Sequence, residues 1–475
     1  MAITRRQFIK RTSMATAGTL LAPSVFKNPF VRQALADTIG DRYFIVLYLD
    51  GGNDGLNTVT PYDNGTTGAL RADYEAARGA NAANGGIQLL QGQLASTLIG
   101  TCPGTGTPLA LHPAFARLKQ LYDSGDLAVI QGCGYPNYNL SHEESAHIWE
   151  TANPTNVPGY PSGWVGRYFV EAPYGGADIP AVCVRDDIAP EFRQTVTSVL
   201  ATRNLNSLGF PYDEFGDTMA ELAAKRACFE ALYGTAGAAG ALQATLSYVG
   251  SVGSSTLVAT DSYSDLDVTP GNNSYPNTST ARDLRQVARV IQALKEGLPA
   301  PGVNARHFEL RNGGYDTHSD QGGAAVGTQH FNLHKEVDDA IGAFWDDCVA
   351  MGKQNKVLIM VWSEFSRRIE QNDNGTDHGS QAPMFVVGGG VTGGVYGNHP
   401  DINEGSWNDD GNTVYSQTAL NPYRSTDFRD VYGTILKHWL NIPAGTISSD
   451  ILPTDTIIDP DDYWNTPNFD MGFLP

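Results

Sequence analysis

The chain reads LYLDGGNDGLN at residues 47–57, where a run of apolar residues ends abruptly in acids and glycines. Such a run is typical of a strand buried on both faces, and the glycines predict that the strand ends at Asp50. Three structures fit this strand end: a tight turn, a phosphate-binding loop and a metal site. A calcium-binding EF-hand is excluded, because its third and twelfth positions would be Gly52 and Pro61. The glycine spacing also excludes the G-x-G-x-x-G motif, and no P-loop lysine follows.

Short apolar runs and amphipathic helical patterns alternate along the chain, which predicts a layered α/β fold with a mostly parallel sheet. The predicted strands are residues 43–49, 127–131, 181–184, 307–310, 357–362 and 384–387. The predicted helices are residues 282–294, 329–351 and 426–440. Residues 192–277 hold an Ala-rich helical part and then a Gly/Ser/Thr/Asn/Pro stretch. We expect this region to be a helical insertion or cap within a single domain, residues 37–475.

The N-terminus has the features of a twin-arginine export signal. ITRRQFIKR at residues 3–11 precedes a modest apolar stretch, and Ala34-Leu35-Ala36 supplies a cleavage site before Asp37. Residues 1–36 are therefore predicted to be a signal peptide that engages the twin-arginine translocase and sends the protein to the periplasm or outside the cell. The apolar stretch is too short and too polar for a stable spanning helix, so we expect no membrane span after cleavage.

Charge and cysteine content narrow the function classes. The formal net charge of −20 argues against nucleic-acid or anionic-membrane partners and fits a protein that holds cations in acidic pockets. The five cysteines form no C-x-x-C motif, which excludes a zinc ribbon or a thioredoxin-like site. Cys102 and Cys133 are the only pair we suspect of forming a disulfide. Cys183 and Cys348 lie in apolar segments and are expected to be buried.

Acids and histidines follow three of the predicted strands. Ligands of open α/β sheets gather beyond the carboxyl ends of the strands, so we expect these side chains to converge. Asp316 and His318 are two residues apart and point the same way in an extended segment. Mixed oxygen and imidazole ligands suit zinc or manganese, and carboxylates alone suit calcium or magnesium. We predict one or two divalent ions, with identity among zinc, manganese and calcium left open. The candidate metal ligands are Asp50, Asp54, Asp316, His318, Glu364, Asp377 and His378.

Each of these candidates also has a structural interpretation. Asp50 and Asp54 can cap a glycine-rich turn. Glu364 can pair with Arg367 or Arg368, and residues 377–379 can form a turn.

Ser141 can have two roles at the start of a predicted helix. With Glu144 three residues later it fits a capping box. A helix start is also a place where a nucleophilic hydroxyl finds amide donors for an anionic transition state. The sequence supports both interpretations.

Several ordered motifs together resemble one family. They are the twin-arginine signal, LYLDGGNDGLNTVTPY (47–62), LHPAF (111–115), LSHEESAHIWET (140–151), GGYDTHSDQ (313–321), VWSEFSRR (361–368), GTDHGSQAPMFVVGGGV (375–391) and DFRDVYGTILKHWL (427–440). The chain resembles an exported family without assigned activity in the alkaline phosphatase and sulfatase superfamily. This resemblance implies a three-layer α/β sandwich with two metal sites around a nucleophile. Members of the superfamily hydrolyse phosphate or sulfate esters or isomerise phosphosugars.

By order along the chain, the resemblance assigns the nucleophile to Ser141 and metal ligands to the acids and histidines named above. The chain departs from the superfamily pattern at two places. The usual acid–histidine pair after the late strand reads Ser363-Glu364, and the usual residues beside the nucleophile are missing. His142 is as prominent as Ser141 in that motif.

These observations predict a periplasmic metal-dependent hydrolase that acts on phosphate or sulfate esters of small molecules or polysaccharides. Ser141, His142 and Arg367 are the candidate catalytic residues, with Arg367 or Arg368 neutralising charge on the transferred group. One alternative is a non-catalytic exported binding or assembly protein that keeps the fold and a structural metal. Another is a metal-free serine hydrolase that uses a histidine near Ser141.

Overall fold

The computed structural model describes residues 41–475 with internal gaps. The gaps are residues 64, 66–68, 137, 155–161, 173, 175–178, 195–197, 206–216, 235–249, 251–252, 254–256, 258–260, 262, 264–273, 298–302, 401, 403–423 and 453–466. The predicted signal peptide, residues 1–36, lies outside the described residues.

The described strands form one large sheet and two small ones. In chain order they are β1 (Tyr43–Asp50), β2 (Val59–Pro61), β3 (Leu98–Thr101), β4 (Pro108–Leu111), β5 (Leu127–Gly134), β6 (Ile179–Cys183), β7 (Val199–Ala201), β8 (Val303–Gly313), β9 (Val357–Trp362), β10 (Ser366–Arg367), β11 (His378–Gly379), β12 (Ala382–Val387), β13 (Gly394–Tyr396) and β14 (Thr426–Asp427). The large sheet has the order β13-β5-β12-β9-β1-β8-β6-β7, and β14 also pairs with β5.

Helices cover both faces of this sheet. In chain order they are α1 (Gly55–Thr58), α2 (Ala69–Ala77), α3 (Gln91–Leu94), α4 (Ala116–Ser124), α5 (His142–Thr151), α6 (Trp164–Glu171), α7 (Met219–Gly234), α8 (Ser279–Glu296), α9 (Gln329–Met351), α10 (Phe428–Thr434) and α11 (Ala444–Thr446). A π-helical turn, Ile435–Trp439, continues α10 over the rest of the predicted 426–440 helix. None of the described helices has both the length and the apolar composition that crossing a bilayer requires.

The middle of the sheet is parallel and directs several strand ends to one edge. Strand β1 pairs in parallel with both β8 and β9, with Phe44 opposite His307 and Leu358. The prediction of a mostly parallel sheet is confirmed, but β12 is antiparallel to both β5 and β9. Two antiparallel pairings in succession leave β5 pointing the same way as β9. The carboxyl ends of β5, β9, β1 and β8 therefore lie at the same edge.

Strand β1 is buried on both faces, which explains its unbroken apolar sequence. Ile45 and Leu47 belong to the core on one side, together with residues of α4, α8 and α9. Phe44 and Val46 belong to the core on the other side, with residues of α5, α6 and α10. The sheet is thus the middle layer of a three-layer α/β sandwich, as predicted.

The predicted insertion at residues 192–277 begins within the sheet. Strand β7 pairs in parallel with β6, with Ala181 opposite Val199, and so extends one edge of the sheet. Helix α7 follows, and much of the remainder lies outside the described residues.

The suspected disulfide between Cys102 and Cys133 is not formed, because all five cysteines are free thiols. Cys133 lies inside β5 rather than in a loop, and the sulfur of Cys102 contacts the Asn398 Oδ1 atom at 3.8 Å. Cys183 and Cys348 are buried, as predicted, and burial raises the pKa of both thiols.

The glycines after β1 form a tight turn that allows close backbone contact. Gly51 and Gly52 have φ values of +118° and +74°, which L-residues with side chains rarely adopt. A Cβ atom on Gly51 would lie 2.4 Å from the backbone nitrogen of Asp316, and one on Gly52 would lie 2.3 Å from the Phe365 ring. The turn therefore brings the loops after β1, β8 and β9 together.

Asp54, at the end of this turn, forms a buried ion pair. The Arg78 guanidinium donates to both carboxylate oxygens at 2.7 and 3.0 Å, and both side chains are fully buried. Gln321 Nε2 adds a third hydrogen bond at 2.6 Å. Burial alone would raise the pKa of Asp54, but the charge and hydrogen bonds of Arg78 hold it below its usual value. This pair fixes the irregular segment after α2 to the edge of the sheet.

We predict that Arg78→Met destabilises the protein by about 3–5 kcal/mol, because the substitution leaves the Asp54 charge buried without its counter-ion. The measurement is urea unfolding at pH 7. The matched control is Arg203→Met, since Arg203 pairs with Asp186 at 2.8 Å at an exposed site and should cost less than about 1 kcal/mol. Equal effects of the two substitutions would contradict the assigned role of the Arg78–Asp54 pair.

Candidate metal centre

Three histidines converge on one carboxylate at the carboxyl edge of the sheet. The Nε2 atoms of His318, His378 and His142 lie 3.1, 3.2 and 3.4 Å from Asp316 Oδ1. The Nε2 atoms of His318 and His378 are 2.9 Å apart. Suitable ligand atoms of His142, Asp316 and His378 all lie within 4.8 Å of one another. This cluster has the composition and spacing of a metal site.

His142 is the first residue of α5, and Glu364 fixes the orientation of its ring. Glu364 directly follows Ser363 at the end of β9, is completely buried, and its Oε1 atom lies 2.6 Å from His142 Nδ1. The same carboxylate accepts a hydrogen bond from the backbone nitrogen of Gly51 at 3.0 Å. The Phe365 ring packs against the imidazole at a centroid distance of 4.8 Å. These contacts leave His142 Nε2 directed away from the carboxylate that holds the ring.

The other two histidines are oriented in the same way, through Nδ1. His378 lies in the β10–β11 hairpin, and its Nδ1 atom is 2.7 Å from the carbonyl oxygen of Leu140. His318 Nδ1 is 3.2 Å from Asp377 Oδ1. Ligating histidines in proteins commonly donate their second ring nitrogen to a carbonyl or a carboxylate in this manner.

The hydrogen bonds at Nδ1 determine which ring nitrogens carry hydrogen and which carry a lone pair. A carbonyl oxygen and two carboxylates can only accept, so the Nδ1 atom of each ring carries the hydrogen. In the neutral imidazole each Nε2 is then a lone pair, and the three lone pairs face Asp316, which is also an acceptor. His142 Nε2 is buried and has no hydrogen-bond partner among the described residues. Arg367 donates to Asp316 Oδ1 but not to the imidazole nitrogens, so a cation between the three lone pairs and the carboxylate, either a proton or a metal ion, would stabilise the cluster.

Asp316 is held in place by the buried guanidinium of Arg367. Arg367 Nη2 donates to Asp316 Oδ1 at 2.7 Å, and the same guanidinium also binds backbone carbonyls of the neighbouring loops. Partial burial acts to raise the pKa of Asp316, but the hydrogen bond and charge of Arg367 lower it to about 2. Asp316 is therefore ionised at neutral pH.

The pKa values of two of the imidazoles are shifted in opposite directions. The hydrogen bond and charge of Glu364 raise the pKa of His142 above 6.5. Burial lowers the pKa of His378 below 6.5. His142 is therefore the more basic of these two imidazoles.

The structure brings together some of the predicted site residues and separates others. Asp316, His318, His378 and Asp377 meet in the cluster, and Glu364 contacts it through His142. Asp50 is paired instead with Arg311 at 2.5 Å, and Asp54 is enclosed by Arg78, as described above. The stretch after β1 is therefore a tight turn, and its two acids, Asp50 and Asp54, form ion pairs with arginines.

Ser141 is the N-cap residue of α5, but its side chain makes no capping hydrogen bond. The capping box is absent, and Asn139 binds both the Ser141 backbone nitrogen and the Glu144 side chain, which would bind each other in a capping box. Asn139 Oδ1 accepts from the backbone nitrogen of Ser141 at 2.7 Å, and Asn139 Nδ2 donates to Glu144 at 2.6 Å. The exposed Ser141 hydroxyl is left without a hydrogen bond to any described residue, directly beside His142.

A second histidine cluster was not identified from the sequence. His112, His330 and His334 are fully buried, with ring centroids 4.0–5.4 Å apart. His330 and His334 hydrogen-bond to Asn53 and Thr58, both at 3.1 Å, which lie on the turn and helix after β1. Burial lowers the pKa of His330 to about 4, so this ring is neutral. The sequence feature that could have revealed this cluster is the four-residue spacing of His330 and His334, which places them on the same face of one helix.

We predict that in the metal-free protein His142 titrates above pH 6.5 and His378 below it. The measurement is a two-dimensional NMR titration of the imidazole carbon protons between pH 5 and 9. In Glu364→Gln the His142 midpoint should fall towards 6.5, because the neutral amide no longer stabilises the imidazolium. A His142 midpoint at or below that of His378 would contradict the assigned contact with Glu364.

Comparison with known families covers part of the chain. Residues 275–428 match the model of a family described as protein of unknown function (DUF1501). This segment contains Asp316, His318, Glu364 and His378 but not His142, and it agrees with the resemblance drawn from the motifs in that part of the sequence. No curated protein matches the chain.

Solved structures with distant similarity include two proteins. The lipoteichoic acid synthase LtaP from Listeria monocytogenes is 7% identical, with a TM-score of 0.27, over 75% of this chain and 68% of that one. The PsFucS1 sulfatase from Pseudoalteromonas sp. is 12% identical, with a TM-score of 0.26, over 78% of this chain and 68% of that one. These TM-scores are too low to support an argument about this chain.

Proposed function

We propose that this protein is a metal-dependent hydrolase of phosphate or sulfate esters, in which His142, Asp316, His318 and His378 hold one divalent ion. The observation that carries the proposal is the convergence of three histidine Nε2 atoms on Asp316 Oδ1, an oxygen that Arg367 keeps ionised. Ligands at about 2.0–2.1 Å from a tetrahedral ion are separated by about 3.3 Å. The distances of 3.1–3.4 Å between Asp316 Oδ1 and the three nitrogens agree with that spacing. The group whose ligand atoms all lie within 4.8 Å of one another is His142, Asp316 and His378, so His318 is the outermost of the four proposed ligands.

Zinc and manganese fit this donor set better than calcium, which prefers oxygen ligands alone. A bound ion would supply Lewis acidity, which polarises an ester oxygen and lowers the pKa of an attacking hydroxyl or water. The protein's own residues hold the donors in place. Glu364, Asp377 and the Leu140 carbonyl bind Nδ1 of the three histidines and so direct each Nε2 towards the ion, and Arg367 keeps Asp316 ionised and oriented.

Ser141 is the proposed nucleophile. Its hydroxyl is exposed, is not used for capping, and lies at the N-terminus of α5, where backbone N–H groups and the helix dipole favour an anionic group. Arg367 is a positioning residue in this proposal, because its guanidinium is occupied by Asp316 and backbone carbonyls. Arg368 is the better candidate for contacting the anionic ester, since its buried Nε atom has no hydrogen-bond partner among the described residues.

The proposal includes export to the periplasm or outside the cell by the twin-arginine pathway, and ester groups on small molecules or polysaccharides as substrates. The N-terminal sequence, with paired arginines at residues 5 and 6 and Ala34-Leu35-Ala36, supports the export part of the proposal.

One observation favours a second candidate, a non-catalytic protein with a structural metal. Four protein ligands can close a tetrahedral zinc site, whereas catalytic zinc keeps an open position. The exposure of the site argues for the enzyme, because the side chains of Asp316 and His318 are 49% and 46% exposed. A metal-free serine hydrolase has less support, since the Ser141 hydroxyl bonds to no histidine among the described residues.

We predict that the purified protein binds about one equivalent of zinc or manganese and that Asp316→Ala and His378→Ala abolish this binding. Glu364→Gln should weaken binding by about 10–100-fold, because it releases His142 from its fixed orientation. The measurements are elemental mass spectrometry and competition with a chromogenic chelator. Asp50→Asn is the matched control and should bind metal like the unmodified protein. Metal binding that requires Asp50, or no metal uptake at all, would contradict the proposed site.

We predict that Ser141→Ala retains the metal and lowers kcat on p-nitrophenyl phosphate or p-nitrophenyl sulfate by at least about 100-fold. Chelation should abolish the remaining activity, and added metal should restore it. Unchanged kcat in Ser141→Ala would exclude Ser141 as the nucleophile. Failure of the metal-loaded protein to hydrolyse either ester class would favour the structural-metal candidate.

A further inference from the structure

Three glutamates lie around one arginine on the α5 side of the sheet, outside the candidate metal centre. Glu309 lies on β8 between two residues of the core on the opposite face, so its buried side chain points to the α5 side. Arg185 follows β6, and its Nη1 atom is 3.3 Å from Glu309 Oε1. Glu191 belongs to a short 3-10 turn, Pro190–Phe192, and is also buried. Glu150, near the end of α5, is half-buried. We call the three side chains the glutamate cluster.

The backbone around Glu191 is held tightly, so this side chain cannot swing out to solvent. A Cβ atom on Gly163, directly before α6, would lie 2.1 Å from the Glu191 Cα atom. The Gly163 nitrogen donates to the Arg193 carbonyl at 3.1 Å. On the other side of the turn, the Ala189 nitrogen donates to Cys183 Sγ at 3.4 Å. The turn is therefore fixed between α6 and the end of β6.

The charges of the glutamate cluster do not balance when all three carboxyl groups are ionised. One guanidinium against three carboxylates would leave two negative charges unpaired, and Arg185 also pairs with the exposed Asp187 at 2.6 Å. Glu191 Oε2 and Glu309 Oε2 are buried and accept no hydrogen bond from any described residue. Buried carboxylates without donors are costly, whereas a protonated carboxyl is neutral and can itself donate to a neighbouring carboxylate. The cluster is therefore built to hold protons.

The other charged groups around the cluster do not remove this imbalance. Arg311 is paired with Asp50 at 2.5 Å, and Arg193 is exposed. Arg167 of α6 donates to three backbone carbonyls, including that of Thr151 at the end of α5. The remaining titratable groups that face the cluster are neutral, because burial and the nearby carboxylates raise their pKa values; they are Tyr48, Cys183 and Tyr432.

The pKa shifts agree with this arrangement. Burial raises the pKa of Glu150, Glu191 and Glu309 above the usual 4.5, and the charge of Glu191 raises the pKa of the other two further. The unfolded chain loses these protons near pH 4.5, but the folded chain keeps them to higher pH. Folding then takes up protons, so the contribution of the cluster to stability falls as the pH rises above 4.5, until the pH exceeds the folded pKa values.

We propose that the glutamate cluster is a pH-sensitive contact that holds α5 against the sheet while it is protonated and releases the helix at alkaline pH. Glu191 and Glu309 are fixed by the turn and by β8, so their ionisation cannot be relieved by local movement. Glu150 is the least buried of the three, and an outward movement of α5 would hydrate all of them. The same helix begins with His142, but the cluster shares no residue with the metal centre, and the inference does not depend on the proposed function.

The first test is urea unfolding of the full chain between pH 5.5 and 7.5, with Glu150→Gln, Glu191→Gln and Glu309→Gln as variants. Each amide mimics the neutral carboxyl. We expect the ratio of the unfolding equilibrium constant of the unmodified protein to that of each variant to rise at least about tenfold over this range. The half-buried Glu150 provides a variant that folds even if the two buried positions reject an amide. Glu296→Gln, at the exposed end of α8, is the control and should leave the ratio constant. A constant ratio for Glu150→Gln, or for every cluster variant that folds, would overturn the proposal.

Two further measurements locate the protons and the movement. Infrared spectra of protein with carbon-13-labelled glutamate should show protonated glutamate carboxyls at pH 7 that decrease in Glu191→Gln. Hydrogen exchange, corrected for intrinsic rates, should show that protection of residues 142–151 falls at least about tenfold more between pH 6.5 and 8.5 in the unmodified protein than in Glu150→Gln. Absence of protonated glutamate at pH 7, or equal loss of protection in both proteins, would overturn the proposal. Calcium binding that Glu309→Gln abolishes would also overturn it, because the cluster would then hold a cation in place of protons.

Discussion

The candidate site depends on one buried guanidinium. Arg367 is completely buried in the β10–β11 hairpin and binds the carbonyls of Gly51, Gly52, Tyr315 and Thr376. Its remaining partner is the carboxylate of Asp316. A guanidinium that has lost its water is stable only when its donors are paired, so each of these loops has to lie within hydrogen-bond distance of it. Burial lowers the pKa of Arg367, but Asp316 and other nearby carboxylates oppose this effect and keep it charged.

This arrangement explains why the metal centre lies where the parallel strands end. Strands β9, β1 and β8 are neighbours and run in the same direction, so the loops that follow them meet at one edge. The positive φ values of Gly51 and Gly52 let the backbone after β1 approach both Asp316 and Phe365 without a Cβ atom between them. The guanidinium fills the space that remains. Backbone geometry and one charged side chain thereby place Asp316 opposite the histidines.

The sequence predicted the sheet well, because burial on both faces leaves a direct mark on the residue pattern. Strand β9 and helix α9 have the predicted bounds, and the strands after which Asp316 and Glu364 occur were identified correctly. The two-residue spacing of Asp316 and His318 also indicated that their side chains lie close together. The direction of a strand is not visible in its residue pattern, so the antiparallel orientation of β12 could be seen only from its pairing in the sheet. The short pairing of β7 with β6 was likewise absent from the local pattern.

The ion pairs of Asp50 and Asp54 are a part of the site region that could not be predicted from the sequence. Asp50 and Asp54 have the composition of metal ligands, but Arg311 and Arg78 reach them from positions that no local spacing reveals. Arg78 follows α2 in a segment without clear periodicity, so its partner could not be inferred. The orientation of each imidazole was also unpredictable, since it is set by Glu364, Asp377 and the Leu140 carbonyl. Which ring nitrogens face the cluster is a property of the tertiary structure alone.

The most direct test of a metal centre formed by three histidines and one aspartate is a crystal structure of the metal-loaded protein with anomalous scattering at the metal edge. We predict a single anomalous peak, about 2.0–2.2 Å from the Nε2 atoms of His142, His318 and His378 and from a carboxylate oxygen of Asp316. A peak coordinated by Asp50 or Asp54, or a fully loaded crystal with no peak between these four side chains, would contradict it.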